Sequence, residues 1–169
     1  LAAANPRERW TSGRTANTAI GQGDDLASPL QMAMVTAAVA NGGTVFYPRL
    51  VDRIVSQDGQ AVSQEPARVR ANLLTDGGLT PEQIEKVRRG MWEVVNEGGG
   101  TAGRARIKNF AVAGKTGTAQ FWRSGVKDNH TWFIAFAPYD DPEYAVVVFV
   151  QGAKSGGGVS APIAAKILD

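Results

Sequence analysis

The residues best suited to bind a ligand in this chain are four consecutive ones, Lys115, Thr116, Gly117 and Thr118. Lys115 supplies a cation, the threonines supply short hydroxyl donors, and Gly117 leaves the backbone bare so that a ligand can lie close to it. The hydrophobic run at residues 110–113 predicts that the four residues belong to a strand. A peptide that carries a carboxylate could pair with the edge of such a strand. A solvated turn explains a match of this length equally well, so the residues alone leave both interpretations open.

Two glycine patterns suggest a nucleotide site, and both fail on their surroundings. Residues 114–116 read Gly-Lys-Thr, like the end of a P-loop. A P-loop requires a glycine at the position of Asn109 and a helix after the lysine, and neither is expected here. A G-x-G-x-x-G match at residues 98–103 follows a predicted helix rather than a strand, which is typical of a helix end and its loop.

Two further patterns could supply a nucleophile or a base. Ser124 and Lys127 match S-x-x-K, in which a lysine one helical turn away can deprotonate a serine. Gly125 and the polar residues 128–129 predict a loop instead of the required helix, so we interpret this pair as idle. His130 is the only histidine and could act as a general base. Its position favours a structural residue at a strand start, hydrogen-bonded to its own loop.

Composition excludes several other kinds of site. With no cysteine and one histidine, neither a thiolate site nor a conventional zinc centre is expected, and no metal or cofactor is predicted. The acidic pairs at 24–25 and 140–141 lie in predicted loops without a third carboxylate, which indicates solvated turns. A net charge of +2 without a long basic run gives no support to nucleic-acid binding. No apolar run approaches the roughly 20 residues that cross a bilayer.

Helix signals are strongest at two places, while residues 1–25 are predicted to be irregular. Ser28 as N-cap and Pro29 after it predict a helix that ends at residues 41–43. This helix is apolar almost all round, so we expect it to be buried. A capping-box pattern at residues 80–83 predicts a second helix. Its buried stripe is expected at Ile84, Val87, Met91, Val94 and Val95.

The remaining signals predict strands and a short last helix. Residues 50–56 and 61–64 flank Asp58-Gly59 and predict a hairpin within a small β arm over 44–66. Residues 110–120, 131–137 and 144–150 predict an antiparallel meander, and Ser160 is expected to cap a helix over 161–168. The result is an α+β fold with helices packed on an antiparallel sheet.

Several separated motifs occur in a characteristic order. They are Ile20-Gly21-Gln22-Gly23, Ser28-Pro29-Leu30-Gln31, Gly100-Thr101-Ala102, residues 113–120, His130-Thr131-Trp132-Phe133, Phe136-Ala137-Pro138 and a glycine run before the last helix. As a set, over about residues 15–168, they resemble the class B penicillin-binding proteins of the elongation type, D,D-transpeptidases that cross-link peptidoglycan. The resemblance implies a partial serine β-lactamase/penicillin-binding transpeptidase fold.

The resemblance also implies a mechanism. In this family a serine attacks the D-Ala-D-Ala carbonyl of a stem peptide, and the acyl-enzyme then passes the acyl group to an amine of a neighbouring stem. Penicillins trap the same serine. By resemblance, Lys115 would place positive charge beside the site, and Thr116 and Thr118 would bind the carboxylate. The N–H of Thr118 would be one of two oxyanion-hole donors. Gly117 would keep the strand open, and Gln120 would face the acceptor.

Two of the three active-site motifs of the family are absent. We find neither an S-x-x-K on a predicted helix nor an S-x-N, and therefore expect no nucleophile in this chain. Together with the start at Leu1 and the lack of the family's N-terminal anchor, this predicts the C-terminal portion of one transpeptidase domain over residues 1–169. Because a nucleophile and its base act as a unit, the isolated chain is expected to be inactive.

The expected partners follow from the same resemblance. They are peptidoglycan stem peptides, β-lactams and the missing N-terminal half of the domain, at the periplasmic face of the inner membrane. Contact with the membrane would occur only through the absent anchor. Two alternatives remain open, a non-catalytic penicillin-recognising sensor and a fragment of a serine β-lactamase. A serine–lysine pair in the upstream sequence would favour the enzyme over the sensor.

Overall fold

The computed structural model describes residues 10–23, 26–123 and 125–169. Its helices are α1 Ser12–Ala19, α2 Pro29–Ala40, α3 Pro81–Asn96 and α4 Ala161–Leu168, with a 3₁₀ turn over Gly103–Ala105 and a π-helical turn over Gly156–Ser160. Its strands are β1 Thr44–Phe46, β2 Arg53–Val55, β3 Ala61–Gln64, β4 Val69–Asn72, β5 Ala113–Arg123, β6 Val126–Ala137 and β7 Tyr144–Gln151. This order confirms the predicted α+β class.

The main sheet is the predicted antiparallel meander, with β6 between β5 and β7. The β5–β6 register runs without a break from Ala113 opposite Phe136 to Arg123 opposite Val126. The strands are longer here than predicted, because pairing between β5 and β6 continues as far as Arg123 opposite Val126. The prediction of a loop at 128–129 was therefore wrong. Ser124 lies outside the described residues.

Each face of this sheet carries its own core. Along β6 the side chains alternate between the two faces, so that Phe133 and Ala135 join one cluster and Ile134 and Phe136 join the other. Helix α4 contributes Ala161 and Ala164 to the first cluster, and α2 contributes Ala40 to the second. Helices thus cover both sides of the sheet, and the buried central strand fixes the position of β5.

The two predicted capping boxes are confirmed. The hydroxyl of Ser28 accepts from the N–H of Gln31, and the Gln31 side chain accepts from the N–H of Ser28. Thr80 and Gln83 make the same reciprocal pair at α3. Each such cap is worth about 0.5–2 kcal/mol. These local signals place both helix starts where the sequence predicts them.

The burial predicted for the helices is only partly correct. In α2 the buried residues are Thr36, Ala38 and Ala40, whereas Leu30 and Val35 are 57% and 52% exposed. Only one side of α2 packs on the sheet, and no described element covers the other side. In α3 the stripe is narrower than predicted. Ile84, Met91 and Val95 are buried and Val94 is half-buried, but Val87 is 51% exposed.

Helix α1 was missed, because residues 1–25 were predicted to be irregular. Thr11 caps it by accepting from the N–H of Arg14. The helix has no buried residue, so it lacks the apolar stripe on which a sequence-based prediction depends. Residues 1–9 and the acidic pair at 24–25 lie outside the described residues.

The small strands form two separate pairs. The hairpin of β2 and β3 is confirmed, although β2 is shorter than predicted. Strand β4, which was not predicted, pairs with β1. The four residues of β4 read Val-Arg-Ala-Asn and carry little apolar alternation, so they gave no strand signal.

The prediction for Ser160 was wrong in its mechanism. Its side chain makes no capping hydrogen bond to α4. Instead its hydroxyl oxygen lies 3.0 Å from that of buried Thr131 on β6. Ser155 is the residue that caps this region, by accepting from the N–H of Gly158 in the π-helical turn. Ser160 therefore ties the turn to the sheet beneath it.

Candidate active site

Strand β5 is an edge strand of the described sheet, and its outer edge has defined hydrogen-bonding groups. The Gln22 side-chain amide donates to the carbonyl of Thr118 over 2.9 Å, and the Lys115 ammonium donates to the carbonyl of Thr116 over 2.6 Å. Both carbonyls therefore point away from β6. In an antiparallel ladder a residue turns its N–H and its C=O to the same side, so the N–H of Thr118 also faces the open edge. This is the orientation that an oxyanion-hole donor needs.

The face of β5 that carries Lys115 and Gly117 lies beside a cavity. These residues stand opposite Ile134 and Trp132 of β6, respectively. The cavity has a volume of about 400 Å³. It is lined by Ile20, Gly21, Ala27, Met32, residues 115–119, Trp132 and Ile134. The predicted strand residues thus border a space that could hold a small peptide or drug.

Lys115 is exposed at this cavity. Apart from its hydrogen bond to the Thr116 carbonyl, it makes no ion pair with any carboxylate in the described part of the chain. An ammonium held only by a carbonyl oxygen keeps donors free, because the group has three N–H bonds. It can therefore attract and bind an anionic group that enters the cavity.

Gly117 packs closely against its cross-strand neighbour. A Cβ atom at this position would lie 3.2 Å from the Cβ of Trp132, its cross-strand partner. That contact is tighter than ordinary van der Waals distance, so a larger residue would push the two strands or the indole aside. The missing side chain thus has a structural reason in addition to the expected close approach of a ligand.

Thr116 is held from the other face of the strand. Its hydroxyl oxygen lies 2.8 Å from that of Thr101. Thr101 directly precedes Ala102, whose N–H donates to the Val94 carbonyl near the end of α3 over 3.0 Å. The contact therefore links the strand to the end of that helix and limits the rotation of the Thr116 hydroxyl.

The glycine run of the π-helical turn closes tightly over this contact. A Cβ on Gly157 would lie 2.0 Å from the carbonyl oxygen of Thr101, and one on Gly156 would lie 2.4 Å from that of Trp132. Real Cβ atoms do not approach backbone oxygens so closely. The glycines at these two positions let the turn press the Thr101 loop and the sheet together.

The family model for the penicillin binding protein transpeptidase domain matches residues 2–169. The chain belongs to the penicillin-binding protein transpeptidase family. This confirms the resemblance drawn from the ordered motifs and assigns the chain to a family of peptidoglycan synthesis and the cell wall.

Individual members of this family are similar to the chain in sequence and in structure. The chain is 37% identical over 175 residues to the peptidoglycan D,D-transpeptidase MrdA of Haemophilus influenzae, covering 95% of this chain and 26% of the relative. It is similar to the structure of Pseudomonas aeruginosa PBP2 in complex with WCK 5153, with a TM-score of 0.75, 34% identity, and coverage of 98% of this chain and 34% of that one. It is also similar to the imipenem acyl-enzyme complex of Mycobacterium tuberculosis penicillin-binding protein A, with a TM-score of 0.75 and 31% identity. That match covers 94% of this chain and 34% of the other. The chain thus spans about a quarter of the length of the MrdA relative.

Three residues near the penicillin-binding family's Lys-Thr-Gly strand had no predicted role, although each stood in a quoted motif. They are Gln22, Thr101 and Trp132. Gln22 stands between Gly21 and Gly23, whose φ angles are 72° and 92°, and this Gly-Gln-Gly spacing was the one signal that could have singled it out. Contacts across 96 residues of chain cannot be read from local sequence.

The predicted position of His130 at a strand start and its predicted hydrogen bond to the loop were wrong. It lies within β6 rather than at its start, and its Nδ1 atom is buried without a hydrogen-bond partner among the described residues. Its ring stacks on Phe121, with the ring centres 3.8 Å apart and an angle of 6° between the planes, and Phe149 packs at 5.1 Å. Aromatic packing therefore positions this histidine, which lies opposite Ala119 in the ladder.

Other predicted groups lie apart from this cavity. Gln120 is exposed on β5 opposite Asn129, and no contact defines its expected role towards the acceptor. Lys127 lies in strand β6 near the hairpin tip, not on a helix. In the described ranges, no three Asp, Glu or His residues converge as a metal site would require. None of the helices described there is long and apolar enough to span a bilayer.

Proposed function

We propose that these residues form the substrate-binding part of a peptidoglycan D,D-transpeptidase. The observation that carries the proposal is the open edge of β5, where the backbone of Thr118 faces outward and Lys115 and Thr118 both line the cavity. A donor stem peptide is an extended chain that ends in a carboxylate. Such a chain can pair with the strand edge while its carboxylate meets the cation and hydroxyls.

Each strand residue then has a proposed role. Lys115 attracts the carboxylate, and the Thr116 and Thr118 hydroxyls donate to it. If Thr101 donates its proton to the Thr116 oxygen, the Thr116 proton stays free for the ligand. The N–H of Thr118 stabilises the oxyanion of the tetrahedral intermediate, a role typically worth about 3–4 kcal/mol. Gln120 lies further along the same edge, on the acceptor side.

The nucleophile is proposed to come from outside these residues. The sequence has no S-x-N motif, and the lysine of its S-x-x-K match, Lys127, lies in strand β6 instead of on a helix. Residues 1–169 would then be the C-terminal portion of one transpeptidase domain, with residues 44–66 as a surface arm. The complete enzyme would act at the periplasmic face of the inner membrane.

Intact mass after incubation with benzylpenicillin tests the proposal. We expect the full-length natural protein that carries this sequence to gain the mass of the drug, and the 169-residue chain to gain none. Mass gained by the short chain alone would place the nucleophile within it and overturn the assignment. Binding by the full-length protein without any gain in mass would instead favour a non-catalytic sensor.

A matched pair of lysine variants tests the role of the strand. Lys115→Ala should slow acylation of the full-length protein about 10- to 100-fold, because a charge-assisted hydrogen bond is lost. Lys86→Ala removes an exposed lysine from α3 and should leave the rate unchanged. Equal rates for the two variants would contradict the proposed role of Lys115.

A further inference from the structure

We propose that Gln22 is a specificity-determining residue that occupies the Thr118 carbonyl until a ligand amide replaces it. The inference rests on the proposed function of the β5 edge. Its starting point is the 2.9 Å hydrogen bond from the Gln22 side-chain amide to the Thr118 carbonyl. This carbonyl belongs to the same residue whose N–H is the proposed oxyanion-hole donor.

Gln22 is positioned by the end of α1. Its own N–H donates to the Asn17 carbonyl over 2.9 Å, and the N–H of Gly21 donates to Thr18 over 2.9 Å. Gly21 and Gly23 adopt positive φ angles, which only glycine adopts readily, so the chain turns sharply on both sides of Gln22. The side chain is half-buried. These contacts hold it over the strand edge rather than leaving it free in solvent.

The Gln22 amide imitates the group that a bound peptide would present. A strand that adds to an open antiparallel edge donates its N–H groups to the outward carbonyls. On β5 the outward carbonyls of Thr116 and Thr118 already accept from Lys115 and Gln22. A ligand with a suitably placed amide N–H therefore competes with Gln22 for the Thr118 carbonyl, while a ligand without such an N–H makes no hydrogen bond there.

This exchange predicts discrimination between two kinds of ligand. With Gln22 present, an amide-bearing ligand gains little at Thr118, because one hydrogen bond replaces another. Without Gln22, the Thr118 carbonyl is left to water. The same ligand then binds more favourably, because it no longer has to break the Gln22 hydrogen bond. A ligand that lacks the amide gains nothing in either case. A carbonyl oxygen has two lone pairs, so if Gln22 and the ligand shared it, this difference would not arise.

Two β-lactams can distinguish exchange of the Gln22 hydrogen bond from sharing of the Thr118 carbonyl in the full-length natural protein. Benzylpenicillin carries a side-chain amide N–H, and penicillanic acid has the same bicyclic ring and carboxylate without it. The quantity measured is the second-order acylation rate of benzylpenicillin divided by that of penicillanic acid, each followed by intact mass. We expect Gln22→Ala to raise this ratio about three- to tenfold. Gln22→Glu keeps the shape but cannot donate, and should raise the ratio too. Since both drugs carry the carboxylate, the added charge largely cancels in the ratio. Gln64→Ala, on the exposed strand β3, is the control and should not change it.

The outcomes distinguish this inference from the proposed function. If the wild-type protein is acylated and the ratio stays the same or falls in both Gln22 variants, the role of Gln22 is wrong while the transpeptidase proposal stands. Equal slowing of both drugs would likewise overturn it, since Gln22 would then support the strand for every ligand. If neither drug acylates the wild-type protein, the proposed function itself fails.

Discussion

Two threonine hydroxyls that meet beneath the strand edge link the site to the rest of the protein. The Thr101 and Thr116 oxygens lie 2.8 Å apart, and Gly157 packs so tightly over the Thr101 carbonyl that it leaves no room for a side chain. Thr101 is not among the residues that line the cavity. It acts as a positioning residue, because it decides where the Thr116 proton can point.

Thr101→Val tests this role, since valine keeps the shape and loses the hydroxyl. We expect acylation by benzylpenicillin to slow about three- to tenfold, the effect of one neutral hydrogen bond. Thr101→Ser should restore most of the rate. Acylation rates of the full-length protein, measured beside its thermal unfolding midpoint, provide the test. A valine variant that keeps its rate, or a serine variant that fails to recover it, would contradict the role.

At the scale of elements, Tyr139 connects the β6–β7 link to α3. Its hydroxyl donates to Glu85 over 2.9 Å, and Arg88 donates to its carbonyl over 2.9 Å. Burial raises the pKa of the Tyr139 phenol above its ordinary value of 10.0, and the hydrogen bond to Glu85 raises it further. The folded state therefore favours the protonated phenol.

This shift predicts an alkaline loss of stability. With a raised pKa in the folded state, the contribution of the phenol is complete below the unfolded pKa and is lost as pH rises through the folded one. Unfolding midpoints from about pH 8 to about pH 11 should fall more steeply for the wild-type protein than for Tyr139→Phe. Parallel curves would mean that Tyr139 titrates alike in both states.

How well each element could be predicted depended on where its signal lies. The starts of α2 and α3 are set by N-caps between residues close in sequence, so Ser28 and Thr80 were enough to predict them. Helix α1 is polar and packs no buried residue, so periodicity could not reveal it. The environment of His130 depends on Phe121 and Phe149, which only the strand register brings together. The Lys-Thr-Gly-Thr segment could be located from sequence, but the contacts of Gln22 and Thr101 with it could not.

At the scale of the whole molecule, the described main sheet has a second open edge, along β7. This edge bears on the proposed domain organisation. Among the described strands, β7 pairs only with β6. The side chain of Phe149 is 37% exposed, and Leu30 and Val35 of α2 are uncovered as well. An apolar strand with an open edge is a pairing site. We therefore expect the remainder of the proposed transpeptidase domain to cover it.

Hydrogen exchange can test this expectation residue by residue. The N–H groups of Ala145, Val147 and Phe149 alternate with those that face β6. They should exchange rapidly in a monomeric sample of the 169-residue chain and slowly in the full-length protein. The N–H groups of Val146 and Val148 serve as internal controls and should be protected in both. Rapid exchange at the first three positions in the full-length protein would argue against a further strand.

The outward orientation of the Thr118 backbone also constrains how such a protein can evolve drug resistance. Its N–H and C=O are main-chain atoms, so substitution of the side chain leaves both in place, and proline alone would delete the N–H. Natural stem peptides and antibiotics would depend on these same two groups. Selection can then separate them only through the surroundings of the strand, such as Gln22 above it and Thr101 beneath it. Surveillance of resistance in relatives should therefore follow those neighbouring positions as closely as the strand itself.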